Sequence, residues 1–192
     1  MSDYYDAHPH RVPRVPISLA GFPGSGHDGV ATTLAALTGL SFASVARRVE
    51  HSVGASTRVI LSRFGEEYFR ALESNELETA LGETPAGVLS VRDGVLLDPR
   101  DFERLLTRSA LVHVYVGIDA LFERVHARLH DDPNSLLPDL AGPVDVERFA
   151  AILAEREVCL EEATIRVDAT HRNTHEVARE IIGHFSLWEE TL

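Results

Sequence analysis

Gly21 and Gly26 bracket four residues in the stretch GFPGSGHDG, the pattern of a loop that could cradle phosphate. In such a loop Gly21, Gly24, Ser25 and Gly26 let successive backbone N–H groups wrap an anion, and a following helix adds the positive end of its dipole. The next two positions of a working loop carry a lysine that neutralises the terminal phosphates and a hydroxyl that holds magnesium. Here they are His27 and Asp28. Histidine is shorter than lysine and mostly neutral at pH 7, while Asp28 places a fixed negative charge where phosphates would gather. At about 5 Å and an effective dielectric near 20, each such charge weighs about 3 kcal/mol against a bound phosphate. The expectation is that Asp28 serves as a carboxylate cap for the first helical turn, so that the loop has no need of ATP. The competing reading is that Asp28 ligates magnesium directly while His27 reaches the phosphate.

The elements around the loop fit that chemistry. Ile17, Leu19 and Ala20 form a short apolar run before it, and Val30, Ala31, Leu34, Ala35 and Leu37 recur at helical spacing after it, giving strand, loop, helix. Further strands are expected at 87–91, 111–116 and 164–167, and helices at 58–81, 101–109, 119–130, 144–162 and 175–187. Strands separated by helices predict an α/β fold with a mostly parallel, covered sheet. The segment DDPNSLLPDLAGP at 131–143 breaks the pattern with three prolines, as a surface lid would. Residues 1–14 read as a disordered leader and 15–192 as one domain.

Composition narrows the function classes. A hydrophobic content of 44% allows one ordinary core, and a formal charge of −12 with no basic run argues against a nucleic-acid partner. No stretch is long and apolar enough for a membrane span and no signal core is present, so the expected location is cytoplasmic. The single cysteine, Cys159, reads as a buried apolar thiol. His126/His130 and His171/His175 have i, i+4 spacing, but without a third ligand they read as exposed polar faces, and no metal is expected.

With the loop placed, the chain from Ile17 to about Phe185 resembles shikimate kinase. GLSFASVARRVEHSVGAS is similar to that family's second strand and following helix, RFGEEYFRALESNELETAL to its phenylalanine–arginine motif with a glutamate three residues on, and AEREVCLEEAT to its arginine-bearing helix before the last strand. The resemblance implies a P-loop nucleoside-kinase-like fold with a five-stranded parallel sheet between helices, and ATP- and magnesium-dependent phosphorylation of the shikimate 3-hydroxyl. It also implies that Arg70 and Arg156 would grip the substrate carboxylate, with Glu73 orienting Arg70 and Gly94 left from the glycines of the substrate floor. From spacing alone, Arg70 and Glu73 read as an ordinary surface pair one helical turn apart, and Arg156 as one charge among Glu155, Glu157, Glu161 and Glu162.

The departures from the family pattern are informative. Its aspartate pair after the second strand corresponds to Ser44 and Ala46, its three glycines to the stretch Val91-Arg92-Asp93-Gly94, and its lid arginine to Asn134, behind Asp131 and Asp132. Together with His27 and Asp28, these changes lead to the expectation of a non-catalytic relative with a degenerate loop, serving as a binding or regulatory partner. A protein of aromatic biosynthesis or a small carboxylic acid would be the ligand. The alternatives are a weak or altered ATP-dependent kinase using magnesium, and an interaction module whose pocket is filled by side chains such as Arg92.

Overall fold

The structure, a computed structural model, describes residues 13–84, 86–131 and 146–187, with 129–131 as backbone only. All of the expected leader except Pro13 and Arg14, the acidic lid with Asp132 and Asn134, and Trp188 lie outside the described residues.

Five parallel strands form one sheet in the order β2-β3-β1-β4-β5: β1 (Ile17–Gly21), β2 (Phe42–Ser44), β3 (Val88–Arg92), β4 (Ala110–Tyr115) and β5 (Ile165–Asp168). Every residue of β1 is buried, because helices cover both faces of the sheet and leave the central strand no wet side. One face carries α1 (His27–Thr38) and α7 (Thr174–His184), whose Leu34, Ala35, Val177, Ala178 and Ile181 close over Ile17, Leu19 and Val112. On the other face Leu77, Ala80 and Leu81 of α3 (Thr57–Glu83) and Leu105 of α4 (Pro99–Arg108) cover Ala20, Leu89, Val91 and Leu111. The remaining helices are α2 (Val45–Val53), α5 (Ile118–Asp131) and α6 (Val146–Leu160). Truncating a side chain as enclosed as Leu34 to alanine would cost about 2–5 kcal/mol.

Local chemistry sets the helix ends. Asp98 caps α4 by accepting from the Arg100 and Asp101 amides, and Pro99 occupies the first turn, where its missing N–H costs nothing. Asn173 and Glu176 form a reciprocal capping box at the start of α7.

The helix expected at 58–81 exists, but it is broken at Gly65, whose φ of 82° and ψ of 172° lie outside the helical region. Apolar spacing runs across the break and so conceals it. A 3-10 turn at Asp93–Leu97 joins β3 to α4 and is not among the expected elements. Cys159 is half-buried rather than buried, at the edge of the core, and burial still pushes its thiol pKa up.

Register brings the functional segments together. Gly21 pairs with Arg92, and Ser44 pairs with Ser90, so the glycine loop, the start of α2 and the 3-10 turn all leave the same carboxyl edge of the sheet. That edge is where open α/β sheets bind ligands.

Candidate functional site

The loop between β1 and α1 keeps the backbone of a phosphate cradle. Gly26 precedes the helix in the left-handed region at φ 80°, and a Cβ built there would meet nothing within 4 Å, so the mouth of the loop is open. Gly21 is different: a Cβ there would fall 2.5 Å from Ser25 Oγ and 2.6 Å from the Val114 carbonyl, which makes glycine a packing requirement. Gly24, also at positive φ, lies against Leu121 and Val125 of α5.

The loop side chains have internal partners. His27 Nδ1 lies 3.0 Å from the buried Ser25 hydroxyl. Burial lowers the His27 pKa to about 4, Asp28 partly offsets that and Arg92 adds to it, so the ring is neutral at pH 7. The expectation that Asp28 caps its own helix is not met. Its carboxylate makes no hydrogen bond to the first-turn amides and instead accepts from Arg47 Nη2 at 2.6 Å. The charge-assisted bond to a guanidinium on α2 is the stronger offer.

A cavity of ≈ 500 Å³ opens beside the loop, bordered by Gly24, Gly26, His27 and Asp28 on one side, by Ser44, Ala46 and Arg47 on another, and by Arg92 and Asp93 on its floor. Arg58 and Arg128 also reach it. The backbone of this site fits a phosphate. The donor set does not fit a magnesium–ATP pair, because no lysine is present, Ser44 and Ala46 supply no carboxylate, and the carboxylates that border the cavity have partners: Asp28 is held by Arg47, Asp93 by Arg156, and Glu50 accepts from the Thr57 amide.

The expected acid-gripping residues do converge. Arg70 and Glu73 are no surface pair: Glu73 is 1% exposed, and its Oε2 accepts from Arg70 Nη1 at 2.6 Å. Arg70 also donates to Glu66 Oε1 at 3.0 Å. The Arg70 guanidinium lies against Gly94, where a Cβ would come within 2.1 Å of Nη1, so position 94 accepts only glycine while Arg70 stays there. Arg156, buried on α6, donates through Nη1 to Asp93 Oδ2 at 3.0 Å, and Asp93 is 2% exposed.

Arg92 completes the cluster. Its guanidinium sits 5.4 Å from the centre of the Phe69 ring, with Nε 3.8 Å from Glu73 Oε1 and Nη1 3.5 Å from Thr57 Oγ1. Burial lowers the Arg92 pKa. Burial pushes the Asp93 carboxyl up, while Arg156, Arg92 and Arg70 pull it back. Glu73 is likewise pushed up by burial, against Arg70 and Arg92. Three guanidiniums therefore face three carboxylates, those of Glu66, Glu73 and Asp93.

Two contacts, Arg47–Asp28 and Arg156–Asp93, escape a reading of the sequence, because their partners are 19 and 63 residues apart. The available signal is charge exchange: an acid gained at 28 beside a base at 47, and an acid gained at 93 opposite a buried arginine. Of the histidine pairs, His126 lies with its ring centre 4.2 Å from that of Phe122, His175 is in the first turn of α7, and the side chain of His130 lies outside the described residues; no metal-holding group occurs among the described residues. No helix among the described residues is long and apolar enough to cross a membrane.

A five-stranded parallel sheet with a glycine loop leaving its central strand, and a cavity at that carboxyl edge, defines an α/β protein of the P-loop kinase fold. Comparison with known proteins narrows the class. A family model described as shikimate kinase matches residues 23–186, and the chain belongs to the shikimate kinase family. It is 35% identical over 166 residues to a shikimate kinase of Mycobacterium avium, covering 86% of this chain and 90% of that one. With a shikimate kinase of Geobacter metallireducens it shares 32% over 168 residues, covering 88% and 90%. Among solved structures, a shikimate kinase from Acinetobacter baumannii in complex with shikimate superposes with a TM-score of 0.80 at 24% identity, covering 91% of this chain and 94% of that one. One from Aquifex aeolicus gives 0.74 at 24%, covering 89% and 96%.

Proposed function

We propose that this member of the shikimate kinase family does not carry out efficient ATP-dependent phosphoryl transfer and acts as a binding or regulatory protein built on the kinase fold. The observation that carries the reading is the state of the loop: a neutral His27 bonded to Ser25, and an Asp28 carboxylate bonded to Arg47 at its mouth. Phosphoryl transfer depends almost wholly on positioning and on neutralising charge. A loop with no lysine and an added carboxylate keeps the backbone that positions a phosphate but brings no charge to neutralise it. The absence of the family's aspartates at Ser44 and Ala46 supports the same reading. The partner fitting this reading is another protein of aromatic biosynthesis.

One observation favours a second reading, an altered ATP-dependent kinase. Arg47, Arg58 and Arg128 border the same cavity as Gly24 and Gly26, and an arginine there could take the place of the missing lysine. Calorimetric titration with magnesium–ATP at low ionic strength, where a weak phosphate site binds best, separates the two. Binding weaker than about 1 mM is expected from the first reading, a free energy of only about 4 kcal/mol. Micromolar binding would replace it with the second.

A further inference from the structure

We infer that Asp93 is a tethered stand-in for a ligand carboxylate, and that the pocket it fills binds a free carboxylic acid only when Asp93 is removed. Asp93 sits at the start of the 3-10 turn, is 2% exposed, and accepts from Arg156 Nη1 at 3.0 Å. Arg156 makes the direct bond, and the charges of Arg92 and Arg70 also favour the ionised form of the same carboxylate. Such a constellation matches a small anion, which planar forks hold well. The place beside it is also filled from within, since Arg70 rests on Gly94 too closely for even a methyl group to intervene.

A carboxylate attached to the backbone at that point competes at a high effective concentration with any dissolved acid. Displacing it would leave a buried carboxylate unpaired, which adds the cost of desolvation to the cost of exchange. The pocket is nevertheless reachable, because Asp93 borders the cavity beside the loop, and Gly94, Arg70 and Glu73 border a second cavity of ≈ 800 Å³. The ligand class once the tether is cut is a small monocarboxylate, extended on the cavity side by hydroxyls that Thr57 and Ser90 could meet. The inference does not depend on the state of the phosphate loop, so its failure and that of the proposed function are distinguishable.

The experiment is chemical rescue of Asp93→Ala, read as thermal unfolding in sodium acetate or formate against sodium chloride of equal ionic strength. The account expects about 50 mM acetate to raise the Tm of D93A by about 3 °C or more, with no such shift in the wild type or in D93A/R156L. A folded D93A with no acetate-specific shift overturns the inference, and so does an equal shift in D93A/R156L. A second measurement needs no variant: wild-type protein titrated with shikimate should show no binding below about 1 mM, and micromolar binding would overturn the inference whatever D93A does.

Discussion

The glycine loop and the arginine cluster lie on the same edge of the sheet, yet they depart from an open site in opposite ways. In the loop the backbone cradle is intact and open at Gly26, while the side chains that would complete it are replaced by His27 and Asp28. In the cluster the side chains Arg70, Glu73 and Arg156 are all present, but they are engaged from within: Asp93 bonds Arg156, and Glu73 takes Arg70 and lies beside Arg92. A site made of backbone amides survives side-chain substitution, because the fold itself holds it. A site made of side chains can be closed by one new side chain of the right charge.

The largest effect should come from cutting the closed site. Replacing Arg156 by leucine leaves Asp93 buried without its nearest partner, at a cost of about 3–5 kcal/mol in denaturant unfolding. Removing both partners, as D93A/R156L, should cost less than R156L alone, since the unpaired charge goes with them. A cost below about 1 kcal/mol for R156L would mean that the cluster is not internally closed, and the contrast with the loop would fail.

The open site should respond to repair. The double change His27→Lys with Asp28→Ser restores one positive charge and removes one negative charge beside an intact cradle. At about 3 kcal/mol per charge before losses to solvent and salt, magnesium–ATP affinity should rise at least about 100-fold. No gain in calorimetry would show that the loop backbone, or the walls around it, has closed as the arginine cluster has.

A smaller effect concerns pH. Burial holds His27 and His113 at a pKa of about 4, below the 6.5 of the unfolded chain. The unfolded state therefore binds more protons between these values, so their contribution is full above about pH 6.5 and is lost as the pH falls toward 4. Each accounts for about 1–3 kcal/mol across that window. Unfolding of H27Q and H113Q followed from pH 7 to 4.5 should be flatter than that of the wild type. An unchanged slope would place these rings in water rather than in the protein.

Much of the architecture is legible in the sequence, because its signals are local. The strand at β4 shows as an alternating pattern over 111–116, the α1 face as Val30, Leu34 and Leu37, and the loop as glycine spacing. The three-residue β2 carries no period of its own and is legible only through resemblance to the family. The arginine site is half legible: Arg70 and Glu73 are one turn apart on a helix, so their meeting follows from spacing, and Arg156 follows from the family register. That Asp93 would answer Arg156 is not legible, since it depends on α6 packing against the 3-10 turn. Asp28 illustrates the same limit. Helix position suggests a cap, but the crossover that brings Arg47 of α2 to the mouth of the loop decides the outcome.

The central claim, that the kinase fold is retained without efficient phosphoryl transfer, is tested most directly by label transfer. Wild-type protein is incubated with magnesium, γ-labelled ATP and shikimate, and labelled shikimate phosphate is separated and counted. The account expects no transfer above the protein-free control over hours at millimolar substrates. Turnover near the ~1–100 s⁻¹ typical of kinases would contradict it, and would mean that Arg47 and its neighbours neutralise the phosphates that His27 and Asp28 do not.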